Sequence, residues 1–188
     1  MQRYFAALTI LLLIGTVVSR AVVMNRRGIE AMHFGKLDRT DFLIPPFALF
    51  YFYTIFAAAF NLPILSKQVF FQSEFIAWVG VIFYLGGLLI LVLSIISFGD
   101  SFRVGIDTDQ PIELITTGGF AISRNPIYVG FWFFLLGQFL VFSNWILLIF
   151  IGAATWLFHR QVLREEEFLK EHFGGKYAEY RNQVRRYL

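Results

Sequence analysis

The chain has 188 residues, 57% hydrophobic and only 15% charged, with a net charge of +3 and a mean hydropathy of +0.64. A soluble domain carries about a quarter charged residues, so this composition excludes one and reads as an integral membrane protein. With no cysteine, disulfides, thiolate metal sites and cysteine nucleophiles are excluded, and the three histidines (His33, His159, His172) lack metal-site spacing.

The first apolar run, Phe5–Val18, follows Arg3. It reads as a retained span, because "VVSRAVV" puts Arg20 where a signal-peptide cleavage site needs small residues. The second, Phe42–Phe60, carries Pro45 and Pro46 near its start, which a span tolerates where neighbours satisfy the freed carbonyls. The third, Phe75–Phe98, holds no charge and is long enough to cross with some tilt. Residues 99–126 follow, a polar stretch too long for a plain connector and expected to be ordered and functional.

Ile127–Phe142 and Trp145–Phe158 are separated only by Ser143-Asn144. At ~1.5 Å per residue they reach roughly 21–24 Å, short of a ~30 Å hydrocarbon core. They are expected to form a short helical hairpin that gains its missing turns from the polar sequence at Arg124 and Arg160. Asn125 as N-cap and Pro126 as first helical residue make a good helix start. Beyond Phe158 the helix continues to Gly174-Gly175. An amphipathic helix with Tyr177, Tyr180, Val184 and Leu188 on one stripe is then expected to lie on the membrane surface.

Charge sets the orientation. Arg26, Arg27, Lys36 and Arg39 occupy one loop, Arg103 and Arg124 another, and seven Lys/Arg follow residue 159, against Arg3 and Lys67 on the opposite side. Excess positive charge marks the cytosolic side, so the N-terminus is expected outside and the tail inside, in the cytoplasmic membrane. The expected fold is all-α with about five transmembrane helices and a cytosolic cofactor pocket. Residues 1–188 form one membrane domain, with three spans in 1–98 and a catalytic region in 99–188.

The run Glu165-Glu166-Glu167 admits two readings. It can be a solvated face, with Glu166 and Lys170 paired at i,i+4. Alternatively, Glu165, less than two turns beyond Phe158, faces a cavity shared with Arg124, and ionisable groups close to a membrane are functional candidates. Spacing alone leaves both open.

Two stretches carry a resemblance: "LITTGGFAISRNPIYVG" and "REEEFLKEHFGGKYAEYRNQVRRYL". Arg124-Asn125-Pro126-Ile127-Tyr128, an apolar hairpin, Glu165-Glu166, then Phe173-Gly174, Tyr177 and Tyr180 together resemble the isoprenylcysteine carboxyl methyltransferase family. They also resemble the wider group of phospholipid-methyltransferase-like membrane enzymes. The likeness covers about residue 99 to the end. It implies binding of S-adenosylmethionine (SAM) at the cytosolic end through Leu114, Ile115, Phe120, Asn125, Pro126, Ile127, Tyr128 and Glu165. Arg124 is added as a partner for the cofactor carboxylate and His159 as a pocket wall. Two positions depart from the prenylcysteine enzymes: Asn125 stands where they keep histidine, and Gln161 where they keep a substrate-binding arginine. Arg160 and Arg164 are the stand-ins.

The implied reaction is methyl transfer to a lipid-like or prenylated small acceptor reached from the bilayer, with no metal and no nucleic acid as partner. A carboxylate acceptor is already ionised at neutral pH, whereas an amine or thiol calls on Glu166 or His159 as base. The rival readings are an NADPH-dependent sterol-type reductase and a non-catalytic membrane protein.

Overall fold

The computed structural model describes residues 1–26, 44–62, 69–98 and 113–188. Six α-helices run through them: α1 (Gln2–Arg26), α2 (Ile44–Ala59), α3 (Glu74–Phe98), α4 (Pro126–Phe142), α5 (Trp145–Phe173) and α6 (Gly175–Gln183). A 3-10 turn, Gly118–Ala121, precedes α4. The expected positive charges Arg27, Lys36, Arg39, Lys67 and Arg103, and the first part of the 99–126 stretch, lie outside the described residues.

Among the described residues three helices are long and apolar enough to cross a membrane: α1, α3 and α5; α2 and α4 are shorter apolar helices. The start of α2 places Pro45 and Pro46 in its first turn, where no intrahelical N–H bond is lost. The bundle centres on α3 and α4, the most extensively packed pair, which run antiparallel. Glycine permits that packing. A Cβ on Gly80 would sit 2.7 Å from the Gly137 carbonyl oxygen, and one on Gly87 would sit 2.5 Å from the Phe134 nitrogen. Gly130 and Gly137 face them at the same seven-residue spacing. Such close backbone approach is how helices associate where lipid removes the hydrophobic drive. On the other side of α4, buried Gln138 donates from Nε2 to the Ala6 carbonyl (3.1 Å) and to Thr9 Oγ1 (3.3 Å), tying in α1.

At one end of the bundle Ser143 takes a left-handed φ of +40°, and Asn144 caps α5 by accepting from the Ile146 nitrogen at 2.7 Å. Phe70 N donates to the Ser143 carbonyl at 2.8 Å, holding the segment before α3 against this turn. From there α5 returns beside α4, with Trp132 Nε1 donating to Thr155 Oγ1 at 2.9 Å.

One expectation is met and another changes. First, α5 continues past Phe158 as expected, unbroken for 29 residues, roughly 43 Å, longer than a ~30 Å core. Residues 159–173 are mostly straight-chain helix formers, so nothing breaks the helix until Gly174, which adopts φ +51°. Its charged last third therefore projects beyond the apolar part. Second, the tyrosine stripe faces inward: Tyr177 and Tyr180 are 2% and 7% exposed. The helix carrying them ends at Gln183, because the chain then turns extended to pair with Ser123.

The glycine seam yields a contrast. Gly137→Ala forces a Cβ onto the backbone of Tyr84 and is expected to cost about 3 kcal/mol. Gly86→Ala, whose Cβ meets nothing within 4 Å, is expected to be neutral or stabilising by up to ~1 kcal/mol. Thermal unfolding in detergent measures both.

Candidate functional site

The site is built where the C-terminal ends of α3 and α5 meet the N-terminus of α4. Gly118, at φ +62°, lies against the Ser97 side chain, and the Gly119 nitrogen donates to Ser97 Oγ at 3.4 Å. This seats the 3-10 turn on α3. Phe120 is thereby buried edge-on to Phe98 at 4.7 Å, and its carbonyl accepts the Tyr180 hydroxyl at 2.6 Å. Burial pushes the Tyr180 hydroxyl up to about 12, keeping it a protonated donor. Leu114 and Ile115 are half-buried in the extended lead-in to this turn.

Asn125 occupies the N-cap of α4 and Pro126 its first position, as expected, but the Asn125 side chain makes no cap hydrogen bond. Its Nδ2 instead donates to Glu166 Oε1 (3.2 Å) and to the Arg186 carbonyl (3.1 Å). Local helix capping lost to a long-range network.

The three consecutive glutamates meet three fates. Glu167 is solvated and pairs with Lys170 at 3.6 Å, so the acidic-face reading applies to it, with Glu167 rather than Glu166 as the partner of Lys170. Glu165 Oε1 accepts from the Tyr128 hydroxyl at 2.7 Å and from Gln161 Nε2 at 3.1 Å. Glu166 is buried and is the partner of Arg124, a place the sequence reading had given to Glu165. Its Oε1 accepts from Arg124 Nε (3.1 Å) and Nη2 (3.0 Å), and its Oε2 from Arg186 Nε (3.1 Å) and Nη2 (2.9 Å). The remaining Arg124 nitrogen, Nη1, donates to the carbonyls of Arg181 and Val184. Burial alone would raise the Glu166 carboxyl. The hydrogen bonds from Arg186 and Arg124, with their charges, outweigh that and hold it below its ordinary value of 4.5.

The tail closes the site. Arg124 N donates to the Arg185 carbonyl at 2.9 Å, Ser123 Oγ to the Arg186 carbonyl at 3.3 Å, and His159 Nδ1 lies 2.8 Å from the Tyr187 hydroxyl. Of the other predicted residues, Pro126 is buried, Ile127 is half-buried and Arg164 is exposed. Arg160 leans over the exposed ring of Trp156 at 5.5 Å. Arg186, Tyr187 and Ser123 were missed as site residues. In sequence Arg186 was one more positive charge in the tail, and its partners lie 20 and 61 positions away.

Two cavities open elsewhere among the described residues. One of about 310 Å³ lies at the opposite end of the bundle, beside Arg3, Ser73, Glu74 and Ser143. Another of about 260 Å³ lies between α1 and α3, beside Arg20, Val92 and Ile96. Neither is lined by a predicted site residue. Those residues gather instead around the 3-10 turn, the start of α4 and the last third of α5. Among the described residues no group of three or more His, Asp or Glu could hold a metal.

A family model described as phospholipid methyltransferase matches residues 75–176. The chain is 29% identical over 113 residues to a probable protein-S-isoprenylcysteine O-methyltransferase of Oryza sativa subsp. indica, covering 58% of this chain and 59% of that one. It is 30% identical over 127 residues to protein-S-isoprenylcysteine O-methyltransferase B of Arabidopsis thaliana, covering 64% of each. The chain thus spans about three fifths of the length of these curated relatives. Their name gives the acceptor as an isoprenylcysteine of a protein, where the sequence reading had a small molecule. The fold is similar to that of a eukaryotic intramembrane isoprenylcysteine carboxyl methyltransferase, with a TM-score of 0.62 and 18% identity over 88% of this chain and 58% of that one.

Glu166→Gln leaves Arg124 buried beside a neutral amide and is expected to cost about 3 kcal/mol, whereas Glu167→Gln, at an exposed pair, costs under ~0.5 kcal/mol. Because the folded-state value of Glu166 is depressed, its stabilisation is complete above 4.5 and is lost as pH falls through the lower, folded value. Melting temperatures from pH 7 to pH 3 are expected to fall more steeply in wild type than in Glu166→Gln.

Proposed function

The chain belongs to the phospholipid methyltransferase family, and from that premise we propose that it transfers a methyl group from SAM to a lipid-like or prenylated acceptor at the cytosolic membrane face. Residues 99–188 carry the reaction, and five helices cross the bilayer with the N-terminus outside. The charge distribution among the described residues supports that orientation. Arg26, Arg160, Arg164, Arg181, Arg185 and Arg186 cluster at the site end, with Arg3 at the other.

The observation that carries the reading is the pairing of Tyr128 with Glu165 one turn into α4, directly beyond the Arg124–Asn125–Glu166 knot. SAM has a zwitterionic amino-acid end and a planar adenine with apolar faces, and the residues present suit both. Glu165 offers a half-exposed carboxylate to an ammonium, oriented by Tyr128 and Gln161. The first turn of α4 ends in the N–H groups of Ile127 and Tyr128, which no carbonyl within the helix can reach and which suit a carboxylate. Two guanidiniums on one carboxylate leave a net positive charge behind that turn. Leu114, Ile115 and Phe120 supply apolar surface for adenine, and His159, held by Tyr187, forms a wall. Bound there, SAM supplies a methyl made electrophilic by its sulfonium.

Arg124 and Glu166 act by position. Both side chains are at most 10% exposed, and the acidic Glu166 carboxyl is saturated with donors, which makes it a poor base. The site therefore favours an acceptor already ionised, a carboxylate, over an amine or thiol. Gln161 is engaged with Glu165, so Arg164, exposed on the next turn of α5, with Arg160 at the lipid-facing side, recognises that acceptor's charge.

SAM at millimolar concentration is expected to raise the melting temperature of the detergent-solubilised protein, and NADPH to leave it unchanged. A shift with NADPH alone would overturn the reading. Glu165→Gln is expected to weaken SAM binding about ten-fold at an unchanged melting temperature of the unliganded protein, loss of one charge-assisted contact being worth roughly 1.5 kcal/mol.

A further inference from the structure

Arg186 engages the site with both its backbone and its side chain. Its carbonyl accepts from Ser123 Oγ (3.3 Å) and from Asn125 Nδ2 (3.1 Å), while its guanidinium grips Glu166 Oε2 through Nε and Nη2. Glu166 Oε1 takes the second Asn125 amide hydrogen. Both hydrogens of the Asn125 carboxamide are therefore spent inside the protein, and toward any ligand this side chain has only its carbonyl oxygen to offer. A histidine at this position would carry a ring nitrogen on each side and could donate or accept, depending on tautomer.

The order of the grip matters. Arg124 is held by four acceptor contacts, two of them tail carbonyls, and its side chain is 7% exposed. Arg186 is the outer cation at 35% exposure and reaches Glu166 from the far side. Without Arg186, the carboxylate has one oxygen without a donor and is free to rotate about its side-chain bonds. The Asn125 amide then loses the fixed acceptor that determines which way it points. The tail backbone, paired in parallel through Ser123 and Arg185, places the Arg186 carbonyl where it can hold that amide from the other side.

We propose that Arg186 is a positioning residue of the donor site: through Glu166 and its own carbonyl it fixes the Asn125 carboxamide, so that Asn125 meets a bound ligand as an acceptor only. The acceptor faces a hydrogen-bond donor on the ligand, such as an amino or hydroxyl group of the nucleoside. This rests on SAM as the ligand, and the experiment separates the two claims.

Binding of radiolabelled SAM to the detergent-solubilised wild type, Arg186→Gln and Arg186→Lys is measured below each protein's melting temperature. Arg186→Gln is expected to bind SAM about ten-fold more weakly, misplacement at a site being able to cost this much or more. Arg186→Lys, which can still place one charge-assisted donor on Oε2, is expected to recover most of the loss, to within about three-fold of wild type. Equal affinity in wild type and Arg186→Gln would overturn the positioning role while leaving the donor reading intact. So would a loss in Arg186→Lys as large as that in Arg186→Gln. Failure of the wild type itself to bind SAM would overturn the donor reading and this role with it. Should Arg186→Gln not fold, wild-type affinity in Arg186→Gly, Arg186→Ala or any other folded variant lacking the charge overturns the role in the same way.

Discussion

One buried carboxylate holds this end of the molecule together. Glu166 is shared by Arg124, Arg186 and Asn125, so that α5, the start of α4 and the C-terminal tail converge on two oxygen atoms. Desolvating a carboxylate and two guanidiniums is costly, and the cost is offset only when each charge finds several well-placed partners. Here Glu166 receives five donors, and Arg124 sends its remaining nitrogen to two tail carbonyls. The arrangement leaves the neighbouring Glu165 pointing elsewhere, oriented by Tyr128 and Gln161. Adjacent residues on one helix thus turn to different partners, Glu166 to two guanidiniums and Glu165 to a phenol and an amide.

The ion cluster can form only because α4 is delivered to it in a fixed register. Gly80 and Gly87 on α3 meet Gly130 and Gly137 on α4 at backbone contact, and the 3-10 turn is pinned to α3 through Ser97. A rigid apolar pair thereby carries the first turn of α4, with Asn125 and Tyr128, to the level of the projecting part of α5. Scaffold and site are separate in composition: small residues do the packing within the apolar layer, and charges begin where that layer ends.

Much of this was legible in the sequence. Apolar runs located the helices, Ser143-Asn144 located the turn, and the Gly174-Gly175 break fell where expected, because these are local signals of period and propensity. The motif residues Leu114, Ile115, Phe120, Asn125, Tyr128 and Glu165 gather at one end of the bundle. What was not legible depended on distance along the chain. No local rule separates Glu165 from Glu166, since one helical step of about 100° decides which faces Arg124. Nor could spacing reveal that Asn125 would forgo its cap for Glu166, or that Arg186 would leave the general positive charge of the tail to join the site.

The central claim is that the methyl donor binds at the junction of the 3-10 turn, α4 and the projecting part of α5, and not in the polar cavity of about 310 Å³ at the other end. Hydrogen exchange of the detergent-solubilised protein with and without S-adenosylhomocysteine tests this most directly. The account predicts added protection confined to residues 114–128, 159–166 and 184–188. Protection centred on residues 69–77 and 140–143, or none anywhere at saturating ligand, would contradict it.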